Sequence, residues 1–110
     1  MRMWCVDTTR LCRKHLLGEH VELHMLAGCL RKNKNINGFL KLGLVDPAQI
    51  KTRHAQLVIE MQRRGYNHQS ELIIDDEFLT KYRGNVSIEG NEKELARRCK
   101  ICNFAPRPTA

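Results

Sequence analysis

The chain has 110 residues, enough for one domain with a core of little more than two packed layers. Its 42% apolar and 28% charged content excludes disorder, and no run approaches the roughly 18 apolar residues of a membrane helix. Lysine and arginine number 19 against 12 acidic residues, a net charge of +7.

The basic residues are spread along the chain: Arg10, Arg13 and Lys14; Arg31, Lys32 and Lys34; Arg63 and Arg64; Arg97, Arg98 and Lys100. That describes a folded basic surface rather than a basic tail, and it favours nucleic acid over a merely solvated positive excess. Met1 to Cys5 lacks the apolar run of a signal peptide, so an intracellular, cytoplasmic protein is expected. The five cysteines are odd in number and irregular in spacing, which does not describe a disulfide framework. In a reducing cytosol they are thiols or metal ligands.

Three helices are expected in chain order, with no internal repeat. The first runs from about Thr8 to Lys32, with Asp7 as N-cap. Leu16, Leu23, Ala27 and Leu30 form its apolar face, and Gly18 costs it about 1 kcal/mol against alanine. Residues 33–38 then read as a turn-rich loop. The second runs from Asp46-Pro47 to Arg64. Aspartate caps the orphan amides and proline at the first position loses no hydrogen bond. Its stripe is Ile50, His54, Leu57, Val58 and Met61, and Gly65 ends it in the left-handed conformation.

Residues 66–90 read as loop, with one short turn near Asp76 to Lys81 and an extended piece at Leu72-Ile73-Ile74. The third helix spans about Glu92 to Ile101, with Asn91 and Glu94 resembling a capping box and Leu95, Cys99 and Cys102 as its stripe. Pro106 and Pro108 belong to a loose tail at 103–110. The fold class is all-α: a single domain over 1–110, with three main helices and long connecting loops.

Candidate chemistry is sparse. Cys99-Lys100-Ile101-Cys102 is a lone CxxC where a strong zinc signal has two. Buried thiols are the simpler reading, since zinc needs Cys5, Cys12 or a histidine to fold across. His20 and His24 share a helix face at metal-pair spacing, but a third ligand must come from elsewhere. His54 reads as a hydrogen-bonded core histidine. No metal and no cofactor are expected. His15, Glu19 and Glu22 line one face of the first helix, which from spacing alone is a solvated face.

One further observation is the order of short motifs: His15-Leu16, Glu22-Leu23, Arg63-Arg64-Gly65-Tyr66-Asn67, then Tyr82-Arg83-Gly84-Asn85. Over about residues 1–98 this resembles the pyrimidine-dimer DNA glycosylase family, the phage-type endonuclease V. The resemblance implies a compact all-α glycosylase and AP lyase, acting on double-stranded DNA as a monomer without cofactor. It implies Met1 as the source of the nucleophilic α-amine, Glu22 as the catalytic acid, and Arg2 and His15 as DNA-binding residues. Arg64, Arg83, Arg97 and Arg98 complete the expected DNA contacts. Arg2 is too large for initiator methionine removal, so Met1 is expected to be retained.

An α-amine titrates near about 7.7–8.0, leaving a useful neutral fraction where lysines have little. Two first-helix arginines of the family are Val21 and Met25 here, and the family's aromatic-rich C-terminal segment has no counterpart. The lesion therefore stays open between a cyclobutane pyrimidine dimer, another modified base and a bare abasic site. A non-catalytic nucleic-acid-binding domain and a small metal-binding protein using histidines and cysteines are the alternatives.

Overall fold

A computed structural model describes residues 1–68 and 71–104. Five α-helices and two 3-10 turns form the fold, with no strand among the described residues. The helices are α1 (Arg13–Arg31), α2 (Asn37–Lys41), α3 (Ile50–Arg63), α4 (Glu77–Lys81) and α5 (Ile88–Arg98). The all-α class with three long helices is as expected.

The boundaries differ in instructive ways. Asp7 caps as expected, accepting from the Thr9 amide at 3.0 Å, but it opens a separate 3-10 turn at Thr8–Arg10. The chain is extended at Leu11 and Cys12 before α1 begins. Asp46 likewise caps a 3-10 turn, Pro47–Gln49, that leads into α3. Gly65, at φ 83°, closes α3, and the Gly65 and Tyr66 amides return to Gln62 and Met61 carbonyls at 2.9 Å.

α2 lies where a loop was expected, and α4 matches the expected turn. Helix α5 starts at Ile88, earlier than expected, because Ser87 rather than Asn91 provides the cap, accepting from the Gly90 amide at 3.0 Å. It also ends earlier. Cys99 is already extended (φ −133°, ψ 115°), so the CxxC sits in a loop. Asn103 and Phe104 pack back on the domain: the Asn103 amide donates to the Arg10 carbonyl at 2.8 Å, and Phe104 is buried. The rest of the expected tail, residues 105–110 with both its prolines, lies outside the described residues.

The core forms where α1 crosses α3. Leu16, Leu23, Leu26, Ala27 and Leu30 meet Ile50 and Leu57, with Leu95 of α5 behind them, all essentially fully buried. Between the apolar layers lies a polar one. The α1 turn between Leu16 and Leu23 buries Glu19 and His20, and the α3 turn between Ile50 and Leu57 buries Arg53 and His54. Buried charge is costly unless paired. Here Arg53 donates to both oxygens of Glu19, at 2.7 and 2.8 Å, and to the Val6 carbonyl at 2.7 Å.

Candidate active site

The N-terminal segment is extended and held along its length. The Met3 amide donates to the Leu44 carbonyl at 2.7 Å. Asn91, buried in α5, donates through Nδ2 to the Met3 and Trp4 carbonyls at 3.2 and 2.8 Å. Its Oδ1 accepts from Arg2 Nη2 at 2.7 Å. These bonds fix the first two residues against α1, where the Arg2 amide donates to Glu22 Oε2 at 3.2 Å. Met1 is half-buried against the core.

Burial pushes the Glu22 carboxyl above the usual carboxylate range. The Arg2 amide bond and then the Met1 ammonium pull it back down, while Glu19 adds to the rise. A half-buried acid beside the chain's own α-amine is the central feature of the corner.

Beside it opens a cleft of about 280 Å³ lined by Arg2, Trp4, Lys14, His15, Glu22 and Arg98, among others. The Arg2 guanidinium lies 4.2 Å over the Trp4 ring and that of Arg98 5.3 Å from it, both within cation–π range. Burial, then the charge of Arg98, lowers Arg2 below its ordinary value. Its Nε is buried with no hydrogen-bond partner among the described residues. Two guanidiniums crowded over one ring, one of them short of an acceptor, suit an anion.

The structure thus gathers Arg2, His15, Glu22 and Arg98 at one cleft, with the Met1 ammonium close enough to Glu22 to lower its pKa. It does not bring the other expected DNA contacts there. Arg64 donates through Nη2 to the Thr8 and Leu11 carbonyls at 3.1 and 2.7 Å, holding the entry to α1. Arg97 pairs with Glu94 on the exposed side of α5. Arg83 is exposed in the loop between α4 and α5. Trp4 and Lys14 line the cleft as well, and Asn91 holds the N-terminal segment from α5; the sequence singles out none of the three for the site. Their signal is weak, because only the folded N-terminal segment links Asn91 of α5 to the site.

Two clusters of ligand-type side chains flank the α1–α3 core. His15 turns Nδ1 away from the cleft chemistry, to within 3.1 Å of Cys12 Sγ and 3.4 Å of Cys102 Sγ. Cys99 Sγ lies 3.9 Å from Cys12 Sγ. The two ends of the CxxC thus meet Cys12 and His15, a convergence the sequence left open. His54 is buried as expected, but its partner is another histidine: its Nε2 lies 3.2 Å from Nε2 of His24. His20 and His68 pair in the same way at 3.0 Å.

The family model described as pyrimidine dimer DNA glycosylase matches residues 1–74. That stretch holds Met1, Arg2, His15 and Glu22, and ends before α5. Comparison with curated proteins and with solved structures gave no match. Because the matched stretch exceeds half of the chain and includes both long core helices, this chain belongs to the pyrimidine dimer DNA glycosylase family, whose substrate is DNA.

Proposed function

We propose that the protein is a DNA glycosylase and AP lyase that excises a dimerised pyrimidine through the Met1 α-amine. The observation that carries the reading is the bond from the Arg2 amide to Glu22 Oε2 at 3.2 Å, which sets a carboxylate one residue from the amine.

In this reading the neutral amine attacks C1′ of the deoxyribose. A C–N bond forms, the glycosidic bond breaks, and the base leaves with its electron pair. Loss of the amine proton and ring opening give an iminium, a covalent intermediate. Glu22 offsets the positive charge developing on the sugar. It then takes a C2′ proton, which expels the 3′ phosphate by β-elimination. Water hydrolyses the iminium and frees the amine.

Arg2, Arg98 and Lys14 supply phosphate contacts at the cleft. With His15 Nδ1 turned to sulfur, Nε2 is the ring nitrogen left for a phosphate. Reaching C1′ requires displacing a nucleotide from the stack, which costs least at a damaged pair. The exposed Val21 and Met25 lie one turn apart on α1 next to Glu22 and give that edge an apolar rather than a cationic character.

Borohydride trapping tests the reading, on duplexes carrying either a cyclobutane pyrimidine dimer or an abasic site. A reducible adduct on both, mapped to Met1, is the expected result. An adduct mapped to a lysine, or none on either duplex, overturns it. Trapping on the abasic duplex alone removes the dimer as substrate and leaves the lyase.

A further inference from the structure

We propose that the protein holds two zinc ions, one in Cys12, His15, Cys99 and Cys102, the other in His20, His24, His54 and His68. The two share no residue, and of the eight only His15 also lines the candidate active site, where its other ring nitrogen, Nε2, stays free of the sulfur contacts.

The first set is a Cys3His constellation whose four ligand atoms lie within 4.8 Å of one another. Zinc bonds of about 2.3 Å to sulfur and 2.0–2.1 Å to nitrogen give tetrahedral edges of about 3.5–3.8 Å. The edges here are 3.1 and 3.4 Å from His15 Nδ1 to sulfur and 3.9 Å between Cys12 and Cys99 sulfurs. These three edges reach tetrahedral values with shifts of a few tenths of an ångström, and the other three lie within 4.8 Å.

The outer contacts favour thiolates as well. The Cys12 amide donates to Cys102 Sγ at 3.1 Å and the Cys102 amide to Cys99 Sγ at 3.4 Å. Such contacts orient ligands and stabilise their charge. Cys12 is the N-cap of α1, where the helix dipole favours an anion.

Binding here releases three thiol protons and leaves one net negative charge on the zinc–ligand set. Its ligands join residues 12 and 15 to residues 99 and 102, closing the chain on itself. Arg10 reinforces the join: its Nε donates to the Asn103 carbonyl at 2.7 Å, and its guanidinium covers Phe104 at 4.4 Å.

The second set gathers four imidazoles from α1, α3 and the segment after α3. Five of their six ring pairs have centroids 4.7 to 5.4 Å apart, and their ligand nitrogens lie within 4.8 Å of one another. A tetrahedral zinc with four nitrogens needs edges of about 3.3 Å. The Nε2 separations of 3.2 and 3.0 Å are close to that. Four neutral imidazoles carry four lone pairs, and one divalent cation satisfies them together. Two of the histidines also line an open cavity of about 570 Å³ with Lys51, Glu71 and Leu72, which gives an ion a route in.

The test is metal content by elemental analysis and native mass spectrometry, on full-length protein purified without chelator. Two zinc ions per chain are expected, one after Cys99→Ser with Cys102→Ser, and one after His54→Gln with His68→Gln. Should either double variant fail to fold, the parent protein refolded with cobalt(II) separates the sites. The first gives a sulfur-to-cobalt charge-transfer band, the second only tetrahedral d–d bands. Protein that carries no zinc and takes up none from micromolar free zinc overturns both sites. A single bound ion overturns whichever site lacks its cobalt signature.

Discussion

Arg53 grips both carboxylate oxygens of Glu19 from across the α1–α3 interface, at 2.7 and 2.8 Å, with both side chains almost wholly buried. Breaking one half leaves a charge stranded in the core. Arg53→Met is expected to cost about 3–5 kcal/mol in urea unfolding, whereas Glu19→Leu combined with Arg53→Met should recover most of that loss. A single variant as stable as the parent would show that the pair is not a stabilising element.

Glu22 sits one turn away on the same helix and predicts the opposite pattern. Glu22→Gln keeps shape and hydrogen bonding, so the unfolding midpoint should move by less than about 0.5 kcal/mol. Duplex affinity should persist while base excision falls by about 10²-fold or more, because the cationic sugar loses its counter-charge. Parental cleavage rates in this variant would return Glu22 to an ordinary helix residue.

DNA binding should be governed by salt. Log affinity is expected to fall linearly with log salt, with a slope of about −0.9 per phosphate neutralised. Lys14→Ala and Arg98→Ala should each reduce that slope by about 1. Arg64→Ala should leave it unchanged and lower stability by about 1–3 kcal/mol instead, since its guanidinium serves the Thr8 and Leu11 carbonyls. Fluorescence anisotropy across a salt series reads the first, thermal unfolding the second.

Much of this was legible beforehand, and the failures have physical causes. The apolar stripes of α1 and α3 are visible because their period is local, and Asp46-Pro47 and Gly65 mark boundaries through their own backbone chemistry. The Glu19–Arg53 pair is not visible, because each residue alone reads as solvent-facing. Only the partner, 34 residues away, makes burial affordable. Asn91 has the chemistry of a cap, yet its side chain serves the Met3 and Trp4 carbonyls, and Ser87 starts the helix. The helical period that Leu95 sets continues through Cys99 and Cys102 in sequence. The chain leaves the helix there and brings Cys102 to the Cys12 amide, 90 residues away in sequence.

Gly84 offers a sharper test of a short motif. A Cβ there would meet the Val45 carbonyl oxygen at 2.0 Å and Asp46 Cα at 2.8 Å. Its amide also donates to Asp46 Oδ1 at 3.3 Å, the oxygen that caps the turn before α3. Gly84→Ala should therefore cost about 2–3 kcal/mol, measured by calorimetry. A shift below about 0.5 kcal/mol would mean that the loop moves aside freely.

Trp4 is the chain's one tryptophan, and it lines the cleft, nearly buried, under Arg2 and Arg98. In the proposed function, this places a native optical reporter where the DNA strand is expected to enter. An anion settling against those two guanidiniums must alter the field on the indole, so the emission spectrum follows strand arrival with no label attached. Mixed rapidly with duplex, the same signal is expected to time strand arrival separately from the proposed chemistry at the α-amine.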